Sequence, residues 1–85
     1  MEKRNLQIHL ENGLEARPVA LLVQEASKYE STVYIYSGDK KVNAKSIMGM
    51  MSLGLDNGEE LVVSAEGPDE REAVDGIERF LSNKV

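Results

Sequence analysis

Ser46 is the side chain whose surroundings most clearly suggest chemistry. It opens the run Ser46-Ile47-Met48-Gly49-Met50-Met51-Ser52-Leu53, and Lys40, Lys41 and Lys45 lie just upstream. A serine before an apolar run is a helix N-cap, and the first N–H groups of a helix have no intrahelical partner. A phosphate on Ser46 would meet those N–H groups and the positive end of the dipole without unfolding anything. The plainer reading is that Ser46 only caps the helix and the methionines only fill the core. Helical spacing puts Met48 and Met51 on one face and Met50 on another. So short a helix cannot bury all three, and exposed methionine suits adaptable protein contacts. Gly49 inside this helix weakens it by about 1 kcal/mol relative to alanine.

A second candidate is Gly13-Leu14-Glu15-Ala16-Arg17-Pro18. It sets a carboxylate directly before a helix start, with Arg17 beside it. Such a start is an anion site, but an acid there also simply complements the dipole. His9 is the one histidine and there is no cysteine. On the polar side of a strand pattern, it reads as a solvated residue rather than a ligand. Glu59-Glu60, and Glu70 with Glu72, fall at a strand start and a helix start, where acids are structural. No Walker loop, GxGxxG or HExxH is present, and no cofactor or metal enters the expectation.

These residues must be positioned by a small body. The chain has 85 residues, of which 41% are apolar, enough for one domain with one core. The absence of cysteine excludes a disulfide framework and fits a reducing, cytoplasmic compartment. A net charge of −5 argues against docking on nucleic acid or on an anionic membrane. No apolar run approaches the roughly 20 residues of a membrane span, and no apolar stretch resembling a signal peptide follows Met1.

Leu6, Ile8 and Leu10 alternate with Asn5, Gln7 and His9, which predicts a strand over 5–10. Val19, Leu22, Val23 and Ala26 form one face of a helix over 16–27, with Pro18 tolerated in its first turn. Residues 32–37 are β-branched and aromatic, Gly38-Asp39 is a turn, and residues 40–43 return as a hairpin. A short helix over 46–53 follows. Asn57-Gly58 turns into a fourth strand over 60–66, with Leu61, Val63 and Ala65 on one face. Asp69 caps the last helix with Glu72 in the capping-box position, and Val74, Ile77 and Leu81, with Ala73 and Phe80, form its buried stripe. The mixed order reads as an α+β domain, a four-stranded sheet with helices on one face.

The two candidate segments, Gly13-Leu14-x-Ala16-Arg17-Pro18 and Lys41-Val42-Asn43-x-Lys45-Ser46-Ile47-Met48-Gly49-x-Met51-Ser52-Leu53, resemble the HPr family of small phosphocarrier proteins, and the likeness extends over about residues 2–83. The resemblance implies an open-faced β-sandwich, an antiparallel sheet in the order 1-4-2-3 covered on one face by three helices. It also implies a regulatory or carrier protein rather than an enzyme. Carriers in the family hold a histidine between Leu14 and Ala16, and this chain has Glu15. A carboxylate forms an acyl phosphate, not the phosphoramidate of a histidine carrier, so no carrier role in sugar uptake is expected. A carrier with an atypical Glu15 acceptor is the alternative.

The second family site is intact. The serine matching Ser46 is phosphorylated by HPr kinase/phosphorylase in HPr proteins of Gram-positive bacteria, and the phosphoserine form binds catabolite control protein A as a corepressor. The resemblance therefore implies Ser46 as phosphoacceptor and Arg17, Lys45, Ile47, Met48 and Met51 as partner contacts. Glu15 would imitate a phosphorylated histidine weakly, or pair with Arg17. The Gly-containing loop after the first strand leaves a monomer or a strand-swapped homodimer open.

Overall fold

The computed structural model describes residues 1–10 and 16–82. The elements are β1 (Glu2–Gln7), α1 (Ala16–Ser27), β2 (Thr32–Ser37), β3 (Lys40–Asn43), α2 (Ile47–Met51), β4 (Glu60–Glu66) and α3 (Glu70–Ser82). The sheet is antiparallel throughout, in the order β1-β4-β2-β3. Alternation sorts its residues between two faces, although Ser64 on the far face is also buried. Val33, Ile35, Leu61, Val63 and Ala65 face the helices and are buried. They pack against Val19, Leu22 and Ala26 of α1, Met50 of α2, and Val74, Ile77 and Leu81 of α3 in a single core. The opposite face stays open. There Lys41 lies over the Tyr34 ring, 4.4 Å from its centroid, and Lys3 approaches Tyr36 at 5.8 Å.

Two expectations need correction. The first strand covers Glu2–Gln7, not 5–10. Its ladder stops where Gln7 meets Glu60, the first residue of β4. Ile8 then bonds around the turn, donating to the Glu59 carbonyl at 2.9 Å and accepting from the Gly58 N–H at 2.7 Å. The charged residues before Asn5 hide the strand from an alternation test, yet charge is normal on a sheet edge. His9 consequently lies past the strand, exposed, with its backbone N–H on the Leu81 carbonyl of α3 at 2.7 Å.

The capping box is the second. The Asp69 carbonyl does accept the first α3 bond, from the Ala73 N–H at 2.9 Å. Its carboxylate, however, is drawn to the α1–β2 turn. It accepts the N–H groups of Glu30 and Ser31, each at 3.0 Å, and the Ser31 hydroxyl. Glu72 is exposed, and the reach back to the backbone is made by Glu70, which accepts the Gly67 N–H at 3.2 Å. Ser31 is buried in consequence, and the tie holds two segments 38 residues apart.

At the sheet edge Arg4 is held by α3. Its Nη1 lies 2.7 Å from Asp75 and 2.6 Å from Glu78, and its Nη2 3.2 Å from Glu2. The N-terminal ammonium pairs with Glu70 at 3.0 Å. The start and the middle of α3 thus hold the N-terminus and Arg4 of the first strand.

Candidate functional site

α2 is a single turn and a half, and its geometry follows from its sequence. Ser46 is the N-cap, in extended conformation, with Oγ accepting the Gly49 N–H at 3.1 Å. Ser52 closes the other end, its Oγ donating to the Gly49 carbonyl at 2.6 Å. The three methionines divide as their spacing predicts. Met50 is fully buried and anchors the helix to the core. Met48 is 85% exposed, Ile47 50% and Met51 49%. These three make an apolar shelf beside the Ser46 hydroxyl.

α1 packs against α2 and extends the shelf. Arg17 is exposed in its first turn. Leu21 stands one turn on, on the same helix face, and is 46% exposed. Sequence alone leaves Leu21 unmarked. The signal that could have found it is its position off the Val19, Leu22, Val23 and Ala26 stripe, an apolar residue where the amphipathic pattern asks for a polar one. Glu15 lies outside the described residues, and so does any pairing of it with Arg17.

The upstream lysines do not converge on Ser46. Lys45 donates from Nζ to the Tyr29 carbonyl at 2.7 Å, just beyond α1. Lys40 donates to the Ser52 carbonyl at 3.0 Å, at the end of α2, and Lys41 lies over the tyrosines of the open face. Lysine at a helix C-terminus satisfies free carbonyls and complements the dipole. Lys45 is therefore a strut between the end of α1 and the start of α2.

Two ionisable groups away from α2 are held by bonds within the fold. Asp69 is held below its ordinary value by the Ser31 hydroxyl first and then by the Glu30 N–H. Burial raises Tyr29, and its bond to Glu25 raises it further. Among the described residues no group of three or more His, Cys, Asp or Glu side chains could hold a metal ion, and no helix is long and apolar enough to cross a membrane.

A sheet in this order under three helices is an open-faced β-sandwich, here with a serine-capped helix and exposed apolar side chains beside it. The model of the HPr component of the phosphotransferase system, described by its phosphorylation site, matches residues 2–83, and the chain belongs to the HPr family. It is similar to the HPr-like protein Crh of Bacillus subtilis, with 44% identity over the full length of both chains. The crystal structure of the phosphocarrier HPr of Bacillus anthracis superposes with a TM-score of 0.92 at 41% identity, over 94% of this chain and 95% of that one. That of Bacillus subtilis Crh, a dimer with a swapped domain, superposes at 0.81 with 44% identity, over 100% and 98%.

Proposed function

We propose that this chain is a regulatory HPr-like protein of carbon catabolite repression, phosphorylated on Ser46 by HPr kinase/phosphorylase. The phosphorylated form then binds catabolite control protein A, and the repressor, not this acidic chain, contacts DNA. The observation that carries the reading is the Ser46 hydroxyl at the head of α2 beside exposed Ile47, Met48 and Met51. A phosphoserine adds about −1.5 to −2 charges. With Lys40 and Lys45 bonded to backbone carbonyls, that charge is left for a basic pocket on the partner. Ile47, Met48, Met51 and Leu21 supply apolar contact, and Arg17 meets an acidic group on the repressor. Lys45 acts on the partner surface by bracing α2.

Glu15 in place of the carrier histidine supports a protein without a transport role. The swapped-domain dimer of Bacillus subtilis Crh supports a strand-swapped homodimer as the alternative to a monomer, and the location we assign is the cytoplasm.

The test is incubation with HPr kinase, ATP and magnesium, read by intact mass beside Ser46→Ala, followed by titration of the product with the repressor. One phosphoryl group, absent from Ser46→Ala, and repressor binding that depends on it are expected. No incorporation by an active kinase refutes the reading. Incubation with phosphoenolpyruvate and the first phosphotransferase enzyme addresses the carrier alternative, in which labelling would disappear in Glu15→Ala.

A further inference from the structure

Gly49 stands in the middle of α2, where glycine is about 1 kcal/mol worse than alanine. Its backbone does not require glycine: among the described residues the positive-φ glycines are Gly38, Gly54, Gly58 and Gly67. What distinguishes position 49 is its neighbour. A Cβ there would lie 3.3 Å from Ser46 Oγ, closer than ordinary contact, but 3.5 Å from Ser46 Cβ and from Val42 Cβ, which is ordinary. The Gly49 N–H meanwhile donates to that same Oγ at 3.1 Å.

We propose that Gly49 is a positioning residue for phosphoryl transfer to Ser46: its N–H aims the hydroxyl oxygen, and its missing side chain keeps the flank of that oxygen open to the incoming group. The inference rests on Ser46 being the phosphoacceptor. In the transfer, Ser46 Oγ attacks the γ-phosphorus of kinase-bound ATP. The Oγ–P bond forms, the bond from that phosphorus to the bridging oxygen breaks, ADP leaves with the electron pair, and the hydroxyl proton passes to a base on the kinase. A hydroxyl oxygen has two lone pairs. One is held by the Gly49 N–H, which leaves the other for phosphorus. Attacking and leaving oxygens must lie roughly in line, so small displacements of the nucleophile are costly. A methyl group at position 49 requires Oγ to give way by a few tenths of an ångström, a displacement of the nucleophile itself. Ile47, Met48 and Met51 are exposed, so the expected effect falls on the chemical step rather than on docking.

The experiment is initial-rate phosphorylation of the full-length chain by HPr kinase with ATP and magnesium, comparing wild type, Gly49→Ala and Met48→Ala, with circular-dichroism melts of each. For Gly49→Ala, kcat is expected to fall at least roughly tenfold, equivalent to about 1.4 kcal/mol of barrier, with KM for the protein within about twofold of wild type. Met48→Ala is expected to show the reverse, a raised KM with kcat retained. A smaller fall in kcat for Gly49→Ala, or a loss carried by KM, overturns the inference while the Ser46 reading stands. Absence of incorporation in wild type overturns both. Should Gly49→Ala melt low, Gly49→Ala with Val42→Ala makes room on the strand side and keeps the methyl against Oγ. The kcat deficit is expected to persist there, and its recovery to wild type would equally overturn the proposal.

Discussion

Met48 and Met50 are two residues apart on one short helix, and truncating each to alanine should give opposite results. Met50 is fully enclosed by the core. Met50→Ala removes Cγ, Sδ and Cε from a packed site, a change that costs about 2–5 kcal/mol in transfer energy and residual cavity. For a domain of this size 1 kcal/mol corresponds to about 4–8 °C, so Tm should fall by about 8–40 °C. Met48 is 85% exposed. Met48→Ala should shift stability by no more than about 0.5 kcal/mol, which is a few degrees at most. Binding reverses the ranking. If the shelf docks the repressor, phosphorylated Met48→Ala should lose at least about 1 kcal/mol of affinity, roughly fivefold. Phosphorylated Met50→Ala, measured below its own melting transition, should bind close to wild type. Urea and thermal melts followed by circular dichroism give the first comparison, and calorimetric titration with the repressor gives the second. Equal destabilisation by the two substitutions would refute the assignment of faces on α2. Wild-type affinity in Met48→Ala would remove the shelf from the docking surface.

Other perturbations test the frame that holds the site. The Asp69 carboxylate is held below its ordinary value by the Ser31 hydroxyl and the Glu30 and Ser31 N–H groups. Its stabilisation is therefore complete above the unfolded-state value of about 4 and is lost as pH falls through the lower folded value. Asp69→Asn should accordingly be less stable at neutral pH and lose less on acidification. Urea midpoints between about pH 5 and pH 2 check this, and parallel curves for the two proteins would contradict it. The three carboxylates around Arg4 are partly exposed. Arg4→Ala should therefore cost only about 1 kcal/mol, and the difference from wild type should shrink in roughly 1 M salt. A salt-independent loss would point to packing of the arginine stem instead. Leu21→Ala should weaken repressor binding with little change in Tm, and an affinity equal to wild type would confine the docking surface to α2.

The helices were legible where burial and period coincide. The stripes of α1 and α3, the β2–β3 hairpin and the split of Met50 from Met48 and Met51 all follow from spacing. The bounds of β1 are hidden because half its residues are charged, and what makes them a strand is β4, more than fifty positions away in the chain. The partners of the Asp69 carboxylate are hidden for the same reason. A local capping rule weighs only nearby donors, whereas the N–H groups of Glu30 and Ser31 reach it through the fold. Ser46 could be named as a cap because capping is local. The fate of Lys40 and Lys45 could not, since both end on carbonyls brought near by packing. Glu15, the residue that departs from the carrier pattern, is a fact of sequence alone.

The order β1-β4-β2-β3 also has a consequence for biogenesis. The ladder partners of the first strand are made late, Leu61, Val63 and Ala65 on β4 among them, and so are Asp75 and Glu78 on α3, the last of them 74 residues after Arg4. During synthesis β2 and β3 can pair as soon as their hairpin emerges, while β1 waits as an unmatched strand until the chain is almost complete. High sequence separation of this kind slows the final closing step.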